Sequence, residues 1–374
     1  MSGQVFSNCR RLVIKVGSSL LVDDDGRLNS TWLESLADDV AGLARDGHEI
    51  LIVSSGAIAI GSSVLGINKQ RARLEDLQAA AAAGQVQLVY AYQQALRRHD
   101  ITAAQVLLTP DDTEDRRRFL NARRTLNKLI ERSVIPIINE NDTVATEEIR
   151  YGDNDRLAAR VAQLVMADAL ILLSDVDGLY TADPATGSSA AHIPEVSNIS
   201  SDILAMAGET RSAVGTGGMA TKVQAASIAM HAGCSTIIAS GLVANPLQAL
   251  CSGSRHTVFI APATPAAARK QWLAGVLEVG GELILDEGAV KALGDSNSLL
   301  PVGVSRVVGE FRRGDVVTLK DSSGAEIGRG LAEYSSEEAE RLAGLRSDRI
   351  EAVLGYRGRS VMVHRDELVL FDND

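Results

Sequence analysis

Cysteine is scarce: Cys9, Cys234 and Cys251 are the only three in 374 residues. They are odd in number, widely spaced and form no Cys-x-x-Cys. That excludes a disulfide framework or a thiolate metal site and reads as reduced cytosolic thiols. Aromatics make up only 3% of a chain that is 45% hydrophobic, so the core must be aliphatic and rich in alanine. No apolar run exceeds strand length, which excludes a helical membrane span. The first ten residues lack the apolar stretch of a secretory signal, so a cytoplasmic location is expected. Positive charge is also short, with 37 Lys and Arg against 48 Asp and Glu and a net charge of −11. A protein that coats nucleic acid would have the opposite balance. If this chain handles an anion, it must do so with local positive charge.

What is present is a regular alternation of buried strands and amphipathic helices. Arg11–Val16 is a β-branched strand ending in Gly17-Ser18-Ser19, with Lys15 interrupting its apolar run near the C-terminal end. In a parallel sheet ligands sit at that end; the alternative is a lysine snorkelling from an edge strand. Thr31-Trp32-Leu33-Glu34 resembles a capping box, and the apolar spacing that follows predicts a helix over 31–46. A strand over 49–53 turns through Ser54-Ser55-Gly56-Ala57 into another helix. Further helices are expected over 75–98 and 112–132, and strands over 102–108 and 134–138. Near-continuous apolar strands in a βαβ rhythm mean a parallel sheet covered on both faces.

The glycine-rich stretch Val214–Lys222 opens a helix predicted over 219–231. Gly215, Gly217 and Gly218 leave room for a ligand close to the main chain. Helix N-terminal N–H groups, the helix dipole and Lys222 together suit a phosphate. No Gly-Lys pair occurs anywhere, so there is no Walker loop. Gly215, Gly217 and Ala220 formally meet a dinucleotide fingerprint, but no strand precedes them and no acid follows at the required distance. A triphosphate clamp of another kind fits better.

The strand at 134–138 empties into Asn139-Glu140-Asn141-Asp142-Thr143, and Gly152-Asp153-Asn154-Asp155 follows ten residues later, opening a helix over 154–166. Such residues are common turn formers. Here they flank a short, hairpin-like insertion at the C-terminal end of a buried strand, where they can recognise an amino group or orient lysines. A strand over 169–173 ends in the polar loop Ser174-Asp175-Val176-Asp177-Gly178, whose spacing is wrong for a calcium loop.

After Ala261-Pro262-Ala263-Thr264-Pro265 the grammar changes. A short helix leads to β runs over 282–285, 304–308, 316–319, 327–331 and 361–364, separated by Gly, Asp and Ser turns. This predicts a small mostly-β domain. It carries 12 Lys and Arg against 18 Asp and Glu from Glu282 to Asp374.

Taken together, these residues resemble the amino-acid kinase family followed by a PUA domain. The match rests on Lys-Val-Gly-Ser-Ser at 15–19, Ser-Ser-Gly-Ala at 54–57, Asn-Glu-Asn-Asp at 139–142 and Gly-Asp-Asn-Asp at 152–155. Ser-Asp at 174–175, Gly-Leu-Tyr-Thr-Ala-Asp-Pro at 178–184 and Gly-Thr-Gly-Gly-Met-x-Thr-Lys at 215–222 complete its kinase part. The PUA-like part rests on Asp286-Glu287-Gly288-Ala289, Ser298-Leu299-Leu300-Pro301, Arg313-Gly314-Asp315 and Val363-His364-Arg365-Asp366. Ser54 stands where the family pattern has Thr. The resemblance implies a three-layer α/β sandwich with a mainly parallel central sheet over 1–262, a linker helix over 263–277 and a PUA-like domain over 278–374.

It implies ATP-dependent phosphorylation of the side-chain carboxylate of L-glutamate, the first committed step of proline synthesis. By residue carry-over, Lys15, Gly17, Ser174, Asp175, Thr216, Gly217, Gly218, Met219, Ala220, Thr221 and Lys222 would contact ATP. Ser55, Gly56, Ala57, Asp142 and Asn154 would hold glutamate, and Asp153 would orient the two lysines. Mg²⁺ would bridge the phosphates, with no protein ligand to it assigned. A homo-oligomer and feedback by proline at the glutamate site are further family expectations.

The residues agree with that chemistry. The nucleophile is a carboxylate ionised at neutral pH, so no general base is needed, and none of the six histidines falls in a rim motif. Two anions must meet in line, and Lys15 and Lys222 can bracket the transferring group. A sister kinase acting on acetylglutamate, aspartate, carbamate or a nucleoside monophosphate is one rival. The other is an RNA-binding or RNA-modifying protein, which the acidic tail disfavours.

Overall fold

Alternation along the strands sets the architecture. In β1 (Arg11–Val16) Leu12, Ile14 and Val16 point to one face of the sheet and Val13 to the other, and all four are fully buried. In β2 (Glu49–Ser54) the pair Ile50 and Ile52 opposes Leu51 and Val53 in the same way. A strand apolar on both sides needs a helix layer on each. The computed structural model describes residues 6–23, 25–68, 71–144, 154–182, 184, 190–208 and 218–371.

The chain divides into two compact units, Met1–Pro265 and Ala266–Asp374. In the first, β3 (Thr102–Leu108), β4 (Val134–Glu140), β5 (Ala169–Ser174), β8 (Glu195–Val196), β9 (Ser235–Ser240) and β10 (His256–Phe259) join β1 and β2. The order across the eight-stranded sheet is β3-β4-β2-β1-β5-β9-β10-β8. All pairings are parallel except β9 with β10. Two short strands, β6 (Leu179–Tyr180) and β7 (His192–Ile193), form a separate antiparallel pair. One face of the sheet is covered by the helices Ser30–Arg45 and Leu74–Arg97, the other by Asn154–Val165 and Met219–His231. No helix among the described residues is long and apolar enough to cross a membrane.

Two local expectations fail for identifiable reasons. The Ser30–Arg45 helix is capped not by Thr31 but by Asn29, whose side chain accepts from the Trp32 N–H at 3.2 Å, so the Thr31–Glu34 capping box is not formed. The single helix expected over 112–132 is two, Pro110–Glu114 and Arg116–Glu131. Asp115 breaks it, extended at ψ 122° and accepting from the Arg118 N–H at 2.9 Å as the cap of the second helix.

Close approach rather than conformation explains two glycines. Between the helices Ala57–Leu65 and Leu74–Arg97, a Cβ added to Gly61 would lie 1.7 Å from the Ala80 carbonyl oxygen. One added to Gly84 would lie 1.9 Å from that of Ala57. The two backbones are in direct contact there.

The second unit has its own core, with Leu283, Leu285, Leu319, Ile327 and Val363 at its centre. Its strands are β11 (Gly281–Leu285), β12 (Val304–Gly309), β13 (Val316–Lys320), β14 (Glu326–Leu331) and β15 (Leu368–Leu370), in the order β12-β11-β13-β14-β15. The run expected as a strand over 361–364 forms only an isolated bridge between Val363 and Leu299. Met362 and Val363 are both buried, whereas a strand on a one-sided sheet would turn one of them outward. The closing strand is β15.

Candidate active site

Lys15 sits on the strand face shared with Val13. Its register neighbours are Val53 on β2 and Leu172 on β5, so it lies in the middle of the sheet and not at an edge. Only 5% of it is exposed. The snorkelling alternative therefore fails. The helices covering this face begin at Asn154 and Met219, and their first turns lie over the C-terminal end of β1. Asp155 and Lys222 come from those turns and are buried with Lys15.

One carboxylate serves both lysines. Lys15 Nζ lies 2.5 Å from Asp155 Oδ1, and Lys222 Nζ donates to Asp155 Oδ2 at 3.0 Å. Burial alone would push the Asp155 carboxyl up. The charges of Lys15 and then Lys222, with their hydrogen bonds, outweigh it and hold the group below the ordinary carboxylate value. Buried ions survive only in such paired arrangements. Among the described residues two cations share this one anion, in a chain that is negative as a whole. Asp153, expected in the orienting role, lies outside the described residues. Sequence reasoning missed Asp155, the other acid of the same motif. The available signal was its position in the first turn of the helix that follows.

The described part of the glycine-rich loop starts at Gly218, which caps the Met219–His231 helix; Thr216 and Gly217 lie outside it. Gly218 is extended, at φ −84°, a conformation open to any residue, and a Cβ there would meet nothing within 4 Å. Its use is the open space, not backbone freedom. Gly218 has no side chain to cap this helix end, and among the described residues this leaves the N–H groups at Met219, Ala220 and Thr221 for a ligand. The Thr221 hydroxyl donates to the Gly218 carbonyl at 2.8 Å and lies 3.4 Å from Asp155 Oδ2. At the neighbouring strand ends, Gly17 N–H donates to the Leu173 carbonyl at 3.3 Å. The Ser174 hydroxyl donates to Asp175 Oδ1 at 2.8 Å, and Asp175 is exposed. Thus Lys15, Gly17, Ser174, Asp175 and the Gly218–Lys222 turn share one rim.

The other half of the rim lies over β2 and β4. Ser55 N–H donates to the Val16 carbonyl at 3.2 Å, which ties this loop to β1. Gly56 is left-handed, at φ 103°, and caps the helix beginning at Ala57 with no side-chain hydrogen bond. Asn154 Nδ2 reaches the Ser54 carbonyl at 3.0 Å, Ser55 Oγ at 2.9 Å and Asn139 Oδ1 at 3.0 Å. Asn139, buried at the end of β4, donates in turn to Gln85 Oε1 at 2.8 Å. Asp142 lies in the turn just beyond. The sequence puts Asn139 in the rim cluster without a role of its own and does not single out Gln85; one Gln among the five of an alanine-rich helix gives no hint of a strand-end partner. Asn154 and Asp155 are chain neighbours, yet one engages the Ser55 side of the rim and the other the two lysines.

Comparison with known proteins follows the same division. The pattern of the amino acid kinase family matches residues 10–240, and that of the PUA domain matches 281–354. A protein named glutamate 5-kinase from Paramagnetospirillum magneticum is 53% identical over 362 residues, covering 96% of this chain and 98% of that protein. One of the same name from Rhizobium etli is 54% identical over 361 residues, covering 96% and 93%. Among solved structures, carbamate kinase from Giardia lamblia bound to AMP-PNP is 19% identical with a TM-score of 0.49, covering 68% of this chain and 99% of that one.

Proposed function

The chain belongs to the amino acid kinase family, and on that premise we propose that it transfers the γ-phosphoryl group of ATP to the side-chain carboxylate of L-glutamate. The product is L-glutamyl 5-phosphate, and the reaction opens proline biosynthesis. Near-complete coverage by relatives named glutamate 5-kinase supports the substrate. The observation that carries the chemistry is the Lys15–Asp155–Lys222 cluster at the rim of the sheet.

The acceptor carboxylate is already ionised at neutral pH, so this chain has no proton to remove. Its work is to bring two anions into line and neutralise the charge that spreads over the transferring phosphoryl oxygens. Lys15 and Lys222 do this from two directions, pre-aimed by Asp155 and shielded by burial, so little reorganisation is needed at the moment of transfer. The N–H groups of the Gly218–Thr221 turn hold the phosphates, with Thr216 and Gly217 completing the loop. Gly17, Ser174 and Asp175 meet the rest of the nucleotide. On the acceptor side Ser55, Asn154 and the Gly56–Ala57 helix start hold glutamate, and Asp142 pairs with its ammonium group. An acetylated amine would leave that acid unpaired, which separates glutamate from N-acetylglutamate.

Mg²⁺ would accompany the nucleotide and offset phosphate charge. The residues present fit a metal held by the phosphates and water. Both Asp155 oxygens face lysines, and among the described residues no three His, Cys, Asp or Glu side chains come together. A cytoplasmic homo-oligomer inhibited by proline at the glutamate site belongs to the same proposal; sedimentation and proline titration against glutamate test it.

The direct experiment supplies purified protein with MgATP, hydroxylamine and each acceptor in turn. Glutamyl hydroxamate and ADP are expected with L-glutamate, and little or none with acetylglutamate, aspartate or carbamate. Turnover of another acceptor in preference to glutamate would overturn the assignment.

A further inference from the structure

Gln85 lies inside the Leu74–Arg97 helix and is more than nine-tenths buried. Its Oε1 accepts from Asn139, while its Nε2 is buried with no partner among the described residues. An unsatisfied buried donor costs stability, and a leucine or methionine would avoid it. Such a residue calls for a reason to be there.

The reason lies in which way three amides point. The N–H of Glu140 can only donate, and it donates to Asn139 Oδ1 at 2.9 Å. That fixes the Asn139 amide: its oxygen faces Glu140 and Asn154, and its nitrogen faces Gln85, which must then offer its oxygen. The Ser54 carbonyl can only accept, and it accepts from Asn154 Nδ2 at 3.0 Å. The Asn154 nitrogen is thus committed to Ser54, Ser55 and Asn139, and its Oδ1 meets no donor among the described residues. Both carboxylates of an amino diacid are acceptors, so an amide oxygen can pair only with its ammonium group.

We propose that Gln85, although it touches no substrate, is a positioning residue of the acceptor site: through Asn139 it holds the Asn154 amide with its oxygen turned to the acceptor's ammonium group. This rests on the glutamate assignment above. Without an acceptor atom at 85, Asn139 Nδ2 loses its buried partner. The Asn139 amide is then held only by the Glu140 N–H and by Asn154, so the Asn154 oxygen aimed at the cation loses the support behind it.

The test is the hydroxamate assay on the full chain, with Gln85→Met and Gln85→Glu beside the wild type. Gln85→Met removes one unsatisfied donor and leaves Asn139 Nδ2 without its partner, so the two effects offset and the variant is expected to stay folded with a melting temperature close to that of the wild type. It should raise KM for L-glutamate about tenfold or more, the loss of a hydrogen bond to a charged group, and leave KM for ATP within about twofold. Its preference for glutamate over glutarate, which lacks the ammonium group, should narrow by a similar factor. Gln85→Glu keeps an acceptor for Asn139 and should stay within about threefold of wild type. Should Gln85→Met not fold, Gln85→Ala takes its place with the same split expected. A KM for glutamate unchanged in the folded variant would overturn the proposal. So would equal rises for both substrates, or equal losses in Gln85→Glu and Gln85→Met. A wild-type protein that makes no glutamyl hydroxamate would sink the acceptor assignment itself, an outcome distinct from all of these.

Discussion

Lys15 and Lys222 come from distant points of the chain and grip opposite oxygens of one buried carboxylate. Asp155→Asn removes the anion that those two ammonium groups share. Breaking a buried pair costs on the order of 3–5 kcal/mol, so a large drop in melting temperature is expected. Turnover should fall by about 10²–10³, the usual loss when one preorganised charge stabiliser is removed. Lys222→Ala and Lys15→Ala should lose about as much in kcat with the fold retained. Near wild-type turnover in Lys222→Ala, measured as ADP release, would remove that lysine from the mechanism.

The same carboxyl gives a signature in pH. Its folded pKa is depressed by the two lysines, below the ordinary value of about 3.9. The stabilisation it supplies is therefore present above that ordinary value and is lost as pH falls through the lower folded one. Melting curves of wild type and Asp155→Asn should be furthest apart near neutrality and converge below about pH 4. A gap that stays constant down to strongly acid pH would mean the lysines do not depend on the ionised acid.

Much of this was legible in the letters because strand and loop chemistry repeat at fixed offsets. A lysine in an apolar strand, a glycine-rich helix start and two Asn/Asp clusters all point to one rim. What was not legible depended on direction. Asp153 and Asp155 are equivalent as letters, and only the helix turn over β1 brings Asp155 to the lysines. Gln85 reads as one more polar residue in an alanine-rich helix until β4 lays Asn139 beside it. Asp115 looks like an ordinary surface acid, and the helix break there follows from its side chain accepting from the Arg118 N–H as a cap. Residues 361–364 read as a strand because apolarity alone cannot separate one buried face from two.

The glycine pair between the Ala57–Leu65 and Leu74–Arg97 helices yields a prediction with a decided sign. In an exposed helix Gly→Ala gains about 1 kcal/mol. Here the added methyl group of Gly61→Ala meets the Ala80 carbonyl, and that of Gly84→Ala meets Ala57. Both variants should be destabilised by roughly 1–3 kcal/mol or more in denaturant titrations. Because Ala57 opens the helix beside Ser55, KM for glutamate should rise while KM for ATP changes little. A stabilised Gly84→Ala would show that the helices separate at no cost.

Thiol chemistry should be slow throughout. Burial, with a contribution from Asp168, pushes Cys9 up to about 11, and burial, with Asp168 and Cys9, raises Cys234 well above the usual thiol value. At neutral pH neither presents a thiolate. Incubation of native protein with iodoacetamide should leave activity intact, with both residues modified only after unfolding. Rapid alkylation of Cys234 in the native state, seen by peptide mass, would contradict its burial.

Asn154 and Asp155 are joined by a single peptide link, with Cα atoms about 3.8 Å apart, and they serve opposite halves of the rim. Under the site assignment proposed above, the spacing between phosphoryl donor and acceptor is ruled by covalent geometry at this point and not by how far a loop swings. A tilt of that one helix would misalign both partners together. Drift in the outer loops would loosen binding without changing the distance over which the phosphoryl group must travel.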